Sequence, residues 1–425
     1  IAQQVQADVM KTTAQDILVI GAGIVGVSTA LWLQRAGMSV TLIDKDGPAA
    51  GASHGNAGVL AAGSIVPVTV PGLMAKAPIM LFNPNLPLFL RWRYLPKLMR
   101  FLPRYLKNAR HARVERISDG LHVLLHDTYD QHRALSADTP AAKFLTSQDY
   151  LFGYVNKAAF DADKYGWDLR RARGVAHSEL DADALAAFDP ALKGRFGYGV
   201  ICHQHGAIKD PGEYVRALID SFIDNGGKFF QRSVQDFELL NGRCECVMTD
   251  HGMMKADQYV LTTGAWSSAW QTDLGVSVAM ESERGYHIEF INPSIKLRAP
   301  IMVAGGKFVV NSMNGRMRCA GVIEFGGLDA GPSKAPIDLL KKQMAALFPD
   351  MTYDRVVEWM GHRPATADSL PVIGRAPKAQ NVLLGYGHHH VGLTGGPKTG
   401  RWLSHIATVA PMNTDLSAYA ADRKK

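Results

Sequence analysis

The fold is decided by a stretch near the N-terminus that reads Ile17-Leu-Val-Ile20, then Gly21-Ala-Gly23-Ile-Val-Gly26 and, after a helical stretch to Ala36-Gly37, Ser39-Val-Thr-Leu-Ile43-Asp44. This order predicts a strand, a glycine turn, a helix and a second strand that ends in an acid. Gly21 permits the tight turn, Gly23 lets a pyrophosphate approach the helix N-terminus, and Gly26 allows the helix to touch the strand. Asp44 lies 18 residues after Gly26, where a carboxylate accepts hydrogen bonds from an adenosine ribose. The stretch therefore predicts a dinucleotide-binding site and leaves NAD and FAD both open.

The positive charge of the chain is concentrated in one segment. The 425 residues carry 46 Lys+Arg and 39 Asp+Glu, a formal net charge of +7. No acidic residue occurs between Asp46 and Glu115, whereas nine Lys and Arg residues do. The rest of the chain therefore carries 37 basic and 39 acidic residues, a net charge of −2. A uniformly basic nucleic-acid-binding protein is therefore disfavoured, and we expect no nucleic-acid partner. The length and the 47% hydrophobic content are ordinary for a globular protein of two or three domains.

The cysteines and the apolar runs bear on the cellular compartment. Cys202, Cys244, Cys246 and Cys319 are too few and too scattered for a disulfide framework, and Cys244-Glu-Cys246 lacks the spacing of a zinc or redox pair. No apolar run approaches the ~20 residues that span a bilayer. We therefore expect a cytoplasmic protein without a signal peptide or transmembrane helix, although the chain does not begin with Met, so a removed segment stays open.

The later pattern predicts a nucleotide-binding domain that is interrupted by an insertion. A helix is expected from Pro211 to the glycines at 226–227, followed by strands at 228–231, 234–239, 243–249 and 258–262 that return to the first sheet. Strands at 286–291 and 316–323 are assigned to the insertion. The predicted fold class is α/β, with a discontinuous Rossmann-like domain of residues 14–62, 206–274 and 359–425. Residues 63–205 and 275–358 form the inserted α+β substrate domain, with an antiparallel or mixed sheet.

The C-terminal part holds a second concentration of glycine and polar residues. Gly361-His362-Arg363-Pro364 opens a turn-rich loop, a strand is expected at 381–386, and Gly387-His388-His389-His390 leads to a helix predicted from Lys398. Glycines before a helix N-terminus place backbone N–H groups where an anionic or electron-accepting ligand binds. The three histidines would alternate sides in an extended segment and lack nearby carboxylate or cysteine ligands, so we expect no metal site.

Together these motifs resemble those of the D-amino-acid oxidase and dehydrogenase superfamily of FAD enzymes, which also contains glycine and sarcosine oxidases. The resemblance spans nearly the whole chain and is carried, in the family's order, by Gly21–Gly26 with Asp44, Gly51-Ala-Ser53-His54-Gly55-Asn56-Ala57-Gly58, Thr263-Gly264-Ala265-Trp266-Ser267, Gly361–Asp368 and Gly387–Thr394. The branch that it resembles most is that of the bacterial D-amino-acid dehydrogenases, through the Ser-x-x-Asn-Ala-Gly and Gly-x-Arg-Pro-x-Thr-x-Asp loops. In that branch the electrons commonly pass to a quinone or a carrier rather than to oxygen.

The resemblance implies FAD as the cofactor, so the chain is expected to be a flavoprotein. Small residues at 53–58 would let the pyrophosphate and the flavin approach the backbone, and Val234 matches the position whose backbone meets adenine. The amides of Gly392, Leu393 and Thr394 match the loop that faces the flavin N1–C2 carbonyl, where reduction places negative charge. The residues expected to contact the cofactor are Gly21, Gly23, Ile24, Val25, Gly26, Asp44, Lys45, Ser53, His54, Gly55, Asn56, Ala57, Gly58, Val234, Thr263, Gly264, Trp266, Gly361, Gly387, His388, His390, Val391, Gly392, Leu393 and Thr394.

Arg363 matches the family arginine that binds the substrate carboxylate, a task that suits its planar fork. Arg284 and Arg318 are weaker candidates for the same contact, and either could equally form an ion pair. Tyr286 and His287 begin a predicted strand, so only one of them points into the pocket. Hydride transfer needs no strong general base once the substrate amine is neutral. The expected catalytic residues are Arg363, Tyr286, His287, Arg284 and His389.

The resemblance implies FAD-dependent oxidative deamination of a D-amino acid in amino-acid catabolism. Hydride would pass from Cα to flavin N5, and the electrons would then pass to a quinone or carrier. Members of the branch take varied D-amino acids, D-proline and hydroxyprolines, and single residues do not rank these substrates. The alternatives are an oxygen-using glycine- or sarcosine-type amine oxidase, an NAD-linked dehydrogenase and a nucleic-acid-associated module. The oligomeric state stays open.

Residues 79–113, here called the basic segment, combine most of the localised charge with apolar residues. On a helix the leucines fall on one side and the arginines and lysines on the other. Pro96 and Pro103 predict short helical pieces instead of one straight helix. Such a segment fits peripheral contact with the inner face of the cytoplasmic membrane. It fits equally well a helical cover on the inserted domain with a solvated basic face.

Overall fold

The computed structural model describes residues 15–73, 81, 83 and 85–423. Its strands are β1 Asp16–Ile20, β2 Ser39–Asp44, β3 Val59–Leu60, β4 Leu88–Leu90, β5 Leu145–Ser147, β6 Tyr150–Tyr154, β7 His177–Asp181, β8 Tyr198–Cys202, β9 Gly206–Ile208, β10 Lys228–Gln231, β11 Val234–Leu240, β12 Arg243–Thr249, β13 Gly252–Met254, β14 Gln258–Leu261, β15 Met280–Ile291, β16 Ile301–Val303, β17 Phe308–Met313, β18 Arg316–Phe325, β19 Arg355–Thr366, β20 Val372–Ala376 and β21 Ala379–Tyr386. Its α-helices are α1 Ile24–Arg35, α2 Leu95–Leu98, α3 Leu102–Leu106, α4 His111–Leu125, α5 Thr128–Ser136, α6 Lys157–Ala162, α7 Lys164–Ala172, α8 Ala182–Phe188, α9 Pro211–Asp224, α10 Lys334–Leu347 and α11 Gly392–Ala407.

A six-stranded sheet in the order β10-β2-β1-β14-β21-β20 carries the predicted nucleotide-binding stretch. Its first five strands are parallel, and β20 runs antiparallel to β21. Successive side chains of a strand point to opposite faces. Accordingly Ile17 and Val19 of β1 pack in the core that includes α1, α9 and α11, whereas Leu18 and Ile20 pack against β11 and β12. Burial on both faces explains why β1 is an unbroken apolar run.

The predicted return of the chain to this sheet is correct for two of the four strands. β10 pairs with β2, and β14 pairs with β1. β11 pairs instead with β12, and β12 pairs with β13, in a separate three-stranded sheet. The strands of the six-stranded sheet come from residues 16–44, 228–261 and 372–386. The domain boundaries given above stay a prediction.

A nine-stranded mixed sheet forms the other large layer, and β15 and β18 run antiparallel near one edge of it. The strands predicted at 286–291 and 316–323 lie inside these two longer strands. Helix α10 covers one face through Leu340 and Met344. The prediction of a turn-rich loop at 361–368 is wrong for residues 361–366, because β19 pairs with β15 without interruption from Arg355 to Thr366. Pro364 is tolerated there because β19 is an edge strand.

Helix α11 begins at Gly392 and not at the predicted Lys398. Its glycines allow it to pack closely on α1, since a Cβ at Gly400 would lie 2.6 Å from the backbone of Ser28 and Thr29. Pro397 lies inside the helix and has no N–H to donate to the carbonyl of Leu393. His132 Nε2 donates to that carbonyl instead, at 2.8 Å. The first turn of α11 is therefore held by a side chain of α5.

The basic segment forms short helices, as Pro96 and Pro103 predicted, with each proline in the first turn of α2 or α3. Its apolar side includes Leu98 and Tyr105, which pack in one cluster with Phe325 at the end of β18. Residues 79, 80, 82 and 84 of the segment lie outside the described residues. Among the helices of the described ranges, none has the length and apolar character needed to cross a bilayer.

Candidate functional site

A cavity of about 1080 Å³ runs from the glycine turn after β1, past the nine-stranded sheet, to α2 and α3. Typical pockets for one small ligand measure about 300–1,000 Å³, so this cavity has room for a large cofactor with a substrate. Of the residues predicted from sequence, those that line it are Gly21, Gly23, Ile24, Val25, Asp44, Lys45, Ser53, Gly55, Asn56, Ala57, Val234, Thr263, Gly264, Trp266, Tyr286, Gly361, Arg363, His388, His389, His390, Val391, Gly392, Leu393 and Thr394. Those that lie behind its walls are Gly26, His54, Gly58, Arg284, His287 and Gly387.

The glycine turn has the close approach that the sequence predicts. A Cβ at Gly26 would lie 1.8 Å from the carbonyl oxygen of Gly21, so α1 touches the strand end only because residue 26 is glycine. Gly21 itself has φ +108°, which favours glycine. Gly23 borders the cavity at the helix N-terminus. A cradle of this form fits the pyrophosphate of the implied FAD.

Asp44 ends β2 beside this turn. Its carboxylate accepts hydrogen bonds from the backbone N–H of Ala22 at 2.7 Å and of Asp46 at 2.8 Å. Desolvation outweighs these hydrogen bonds and raises the pKa of Asp44. The next residue, Lys45, lies over the Trp266 ring at 4.7 Å. Asp44, Lys45 and Trp266 all line the cavity, so the end of β2 and the segment after β14 bound it together.

Residues 53–58, here called the flavin loop, are tied to the nine-stranded sheet through their carbonyl groups. Arg318 Nη1 donates to the carbonyl of His54 at 2.8 Å and also to that of Asn56. His287 Nδ1 donates to the carbonyl of Gly55 at 3.1 Å. Asn311 Nδ2 donates to the carbonyl of Ala57 at 2.8 Å. Four successive carbonyls thus bond to the sheet, while the loop borders the cavity.

This arrangement corrects the sequence-based roles of Arg318, His287 and His54. Arg318 and His287 hold the flavin loop from behind instead of facing a substrate. Burial, followed by the charge of Arg318, lowers the pKa of His287 to about 2, so its ring is neutral. That ring stacks on Trp359 at 4.9 Å between centroids. The ring of His54 packs near the same tryptophan.

Arg284 is also placed differently from its prediction. The guanidinium is fully buried in the sheet interior. Its Nη1 donates to Glu324 Oε2 at 3.0 Å, and its Nε donates to the carbonyl of Gly327 at 2.9 Å. Tyr286 donates its hydroxyl to the same Glu324 oxygen at 2.5 Å. Arg284 is thus committed to a buried structural network, which argues against its contact with a substrate carboxylate. Tyr286 borders the cavity while its hydroxyl belongs to that network.

The substrate end of the cavity is built around Glu283, which the sequence analysis missed. Glu283 is buried, accepts a hydrogen bond from Arg363 Nη1 at 2.9 Å, and lies 2.7 Å from His389 Nε2. Burial by itself favours the neutral acid, but His389 and Arg363 outweigh it and lower the pKa of Glu283 to about 2. The sequence offered a weak signal, because Glu283 directly precedes Arg284, which was predicted to be catalytic. Its partners, however, are 80 and 106 residues away.

Of the three consecutive histidines, His389 and His390 lie in a short 3₁₀ turn, His389–Val391, which His388 directly precedes, so the segment is not extended. The rings of His389 and His390 therefore face each other, with 2.6 Å between their Nδ1 atoms, where an extended backbone would have separated them. His388 points elsewhere and bonds Thr399 Oγ1 at 2.8 Å. Within residues 15–73, 81, 83 and 85–423, no three His, Cys, Asp or Glu side chains are arranged to hold a metal ion.

Comparison with known proteins gives full-length relatives. The chain is 35% identical to a D-amino-acid oxidase of Bradyrhizobium diazoefficiens, over 96% of this chain and 98% of the relative. It is 29% identical to a D-amino acid dehydrogenase of Allorhizobium ampelinum, over 96% of this chain and 99% of the relative. Both relatives therefore align from end to end with the chain.

Solved structures match the fold over a similar length. Glycine oxidase from Geobacillus kaustophilus superposes with a TM-score of 0.73 at 18% identity, covering 97% of this chain and 100% of that one. L-proline dehydrogenase from P. horikoshii gives a TM-score of 0.71 at 17% identity, covering 96% and 97%. At such identities the likeness concerns the fold alone, and it confirms the predicted α/β class.

A protein-family model described as "DAO: FAD dependent oxidoreductase" matches residues 16–406. This range includes the glycine turn, the flavin loop and the cavity wall around Arg363. The match confirms the predicted FAD cofactor and the predicted enzyme class. The chain therefore belongs to the DAO family of FAD-dependent oxidoreductases.

Proposed function

We propose that this protein is a D-amino-acid dehydrogenase that deaminates its substrate oxidatively and passes the electrons to a quinone or a carrier. The observation that carries the proposal is the position of Arg363, a partly exposed cation in the wall of the cavity that also borders the glycine turn and the flavin loop. The names of the two full-length relatives support a D-amino acid as the substrate class. A D-proline or hydroxyproline substrate stays a prediction.

Arg363 has the geometry needed to bind a substrate carboxylate. Its side chain is 22% exposed. The guanidinium lies over Gly285, where a Cβ would come within 2.5 Å of its Cζ atom. Nη1 bonds Glu283 and the carbonyl of Val322, which fixes the plane of the group. A fixed guanidinium fork binds both oxygens of a carboxylate and so sets the orientation of the substrate Cα.

Bound FAD supplies the hydride acceptor. The flavin loop and the N-terminus of α11, where Gly392, Leu393 and Thr394 border the cavity, would hold the cofactor between them. Backbone N–H groups at a helix N-terminus favour negative charge. In this position they would favour the reduced cofactor over the oxidised one and so assist the transfer. The residues at this end of the cavity therefore fit the proposed direction of electron flow.

Replacement of Arg363 tests this assignment. Arg363→Ala should keep the visible flavin spectrum and lose about ten- to a hundredfold in kcat/KM for the amino acid, because a charge-assisted hydrogen bond contributes about 1.5–3 kcal/mol. Arg195→Ala is a matched control, since Arg195 pairs with Asp350 outside the cavity. If Arg363→Ala loses FAD while substrate affinity survives, the role is misassigned.

Oxygen is the second candidate acceptor, because the relative at 35% identity is named an oxidase. This alternative was predicted as a glycine- or sarcosine-type amine oxidase. A measurement of how the reduced enzyme is reoxidised separates the two candidates. Dehydrogenase function predicts faster reoxidation by a soluble quinone analogue than by air-saturated buffer. Faster formation of peroxide in air would show that the electron acceptor is oxygen and not a quinone or carrier. The proposed substrate class would be unchanged.

A further inference from the structure

Three side chains form a continuous chain from beneath Arg363 to the open cavity. Glu283 Oε2 lies 2.7 Å from His389 Nε2, and His389 Nδ1 lies 2.6 Å from His390 Nδ1. Glu283 and His389 are buried, whereas His390 is exposed on the cavity wall. The chain therefore connects a buried carboxylate to the space that a substrate of Arg363 would occupy.

The hydrogen positions in this chain follow from the charge of Glu283. Because Glu283 forms an ion pair with Arg363 at 2.9 Å, it is an ionised carboxylate at neutral pH and only accepts hydrogen bonds. His389 Nε2 must then carry a hydrogen, and in a neutral ring Nδ1 is the acceptor. His390 Nδ1 must in turn donate to His389 Nδ1. Nε2 of His390 is left with a free electron pair.

The backbone at His389 is held in an uncommon conformation. His389 has φ +52°, in the left-handed region that non-glycine residues adopt infrequently. This conformation turns the ring towards Glu283, while the following residue borders the cavity. Uncommon backbone conformations of buried residues concentrate at functional sites. The geometry therefore points to a role for the His389–His390 pair beyond packing.

We propose that Glu283, His389 and His390 are a proton relay, and that His390 Nε2 accepts the proton which the substrate ammonium group must lose before hydride leaves Cα. The inference rests on the proposed amino-acid substrate. An N–H bond of the ammonium breaks, its electron pair stays on nitrogen, and a bond forms between the proton and His390 Nε2. The proton on His390 Nδ1 then moves to His389 Nδ1. When hydride leaves Cα for FAD, the nitrogen electron pair forms the C=N bond of the iminium product.

The charges around the relay support this direction of transfer. Arg363 of β19 and Glu283 of β15 form an ion pair, so a zwitterionic substrate meets a site with both signs of charge. Desolvation by the surrounding protein lowers the pKa of His390 to about 3, so the positive charge does not stay on that ring. It passes on to His389, next to the carboxylate of Glu283. The other titratable groups near the relay are Tyr105 of α3, whose pKa burial raises, and His388, whose pKa desolvation lowers to about 3. Both are neutral at pH 7 and leave the relay charge unchanged.

The pH dependence of anaerobic flavin reduction tests the relay. In the holoenzyme His390→Gln should lower the rate of reduction at pH 7 by about a hundredfold, the usual contribution of a general base. The rate should recover above the pKa of the substrate's own amine, because that substrate arrives already neutral. Added imidazole should restore part of the rate in His390→Ala at neutral pH. His126→Gln, an exposed histidine of the α4–α5 junction, is the matched control.

A binding readout separates the relay from a purely structural role. A carboxylate analogue without an amine should perturb the flavin spectrum of His390→Gln with unchanged affinity, since Arg363 binds it. An unchanged pH profile and rate in His390→Gln would overturn the relay, and so would a loss of analogue binding without any recovery at high pH. The proposed function fails differently, namely if no amino acid reduces the flavin of the unmodified protein.

Discussion

Arg363 owes its position in the cavity wall to the missing side chain of Gly285. The two residues lie on neighbouring strands, and a Cβ at position 285 would approach the guanidinium to 2.5 Å. Gly285→Ala should therefore displace the guanidinium and weaken carboxylate binding, with a rise in KM of about tenfold, or ~1.4 kcal/mol. Steady-state kinetics with the amino-acid substrate measures this change.

A matched substitution controls for the loss of a glycine in the turn between two other strands of the same sheet, β16 and β17. Gly305→Ala places a Cβ where no described atom lies within 4 Å, so its KM should stay at the value of the unmodified protein. The flavin content of both variants should be unchanged. An unaltered KM in Gly285→Ala would mean that the contact between Gly285 and Arg363 does not position the substrate.

Some residues of the cavity wall could be predicted from sequence motifs, and others could not. Arg363 and His389 were predicted from motifs, and both line the cavity. Glu283 was missed because its two hydrogen-bonding partners, Arg363 and His389, lie on β19 and in the turn before α11. Only the folded sheet brings these residues together. Arg284 was chosen for its charge, yet it points into the sheet interior. Which of two neighbouring strand residues faces a cavity depends on register, which charge alone does not reveal.

At the scale of elements, the flavin loop depends on the strand that supports it. Arg318 of β18 bonds both Glu289 and two loop carbonyls, whereas Arg316 bonds Glu289 and Asp210 without touching the loop. Arg318→Lys keeps the charge and loses the planar fork that reaches two carbonyls. FAD affinity should fall about tenfold or more, because a hydrogen bond from a charged donor contributes about 1.5–3 kcal/mol.

Arg316→Lys is the control for this element. It alters the same ion-pair cluster and should retain FAD affinity. The affinity is measured by adding FAD to the FAD-free protein and following the fluorescence of the flavin. Equal losses of affinity in the two variants would show that the cluster stabilises the sheet in general and does not act through the flavin loop.

Local elements were the easiest part of the fold to predict. The β1–α1–β2 unit follows from glycine spacing and apolar runs within 30 residues, and the structure has it at the predicted place. Pro364 lies in β19, where a loop was predicted, and Pro397 lies in α11, which was predicted to begin only at Lys398. An edge position tolerates the first proline, and a hydrogen bond from His132 compensates for the second. Both compensations come from residues distant in sequence.

At the scale of the whole molecule, the uneven charge predicts weak membrane contact. In the described part of the basic segment Trp92 is 55% and Met99 53% exposed, among arginines and lysines. Each basic residue near an anionic surface contributes about 1 kcal/mol, reduced by salt. The protein should sediment with phosphatidylserine vesicles at physiological salt and not with phosphatidylcholine vesicles.

Charge reversal in the basic segment distinguishes membrane contact from a simple helical cover. Arg93→Glu combined with Arg100→Glu should abolish sedimentation and leave amino-acid oxidation with a soluble acceptor unchanged, because both residues are exposed. If the unmodified protein does not bind the anionic vesicles, the membrane hypothesis is wrong, and the segment serves to cover the nine-stranded sheet.

The proposed function requires that one cavity holds FAD together with an arginine that orients a D-amino acid. Anaerobic mixing of the holoenzyme with matched D- and L-amino acids tests it most directly, because hydride transfer bleaches the visible flavin absorbance without any acceptor. We expect bleaching by at least one D-amino acid and none by its L-enantiomer. Bleaching by L-enantiomers alone, or by no amino acid or secondary amine at all, would contradict it.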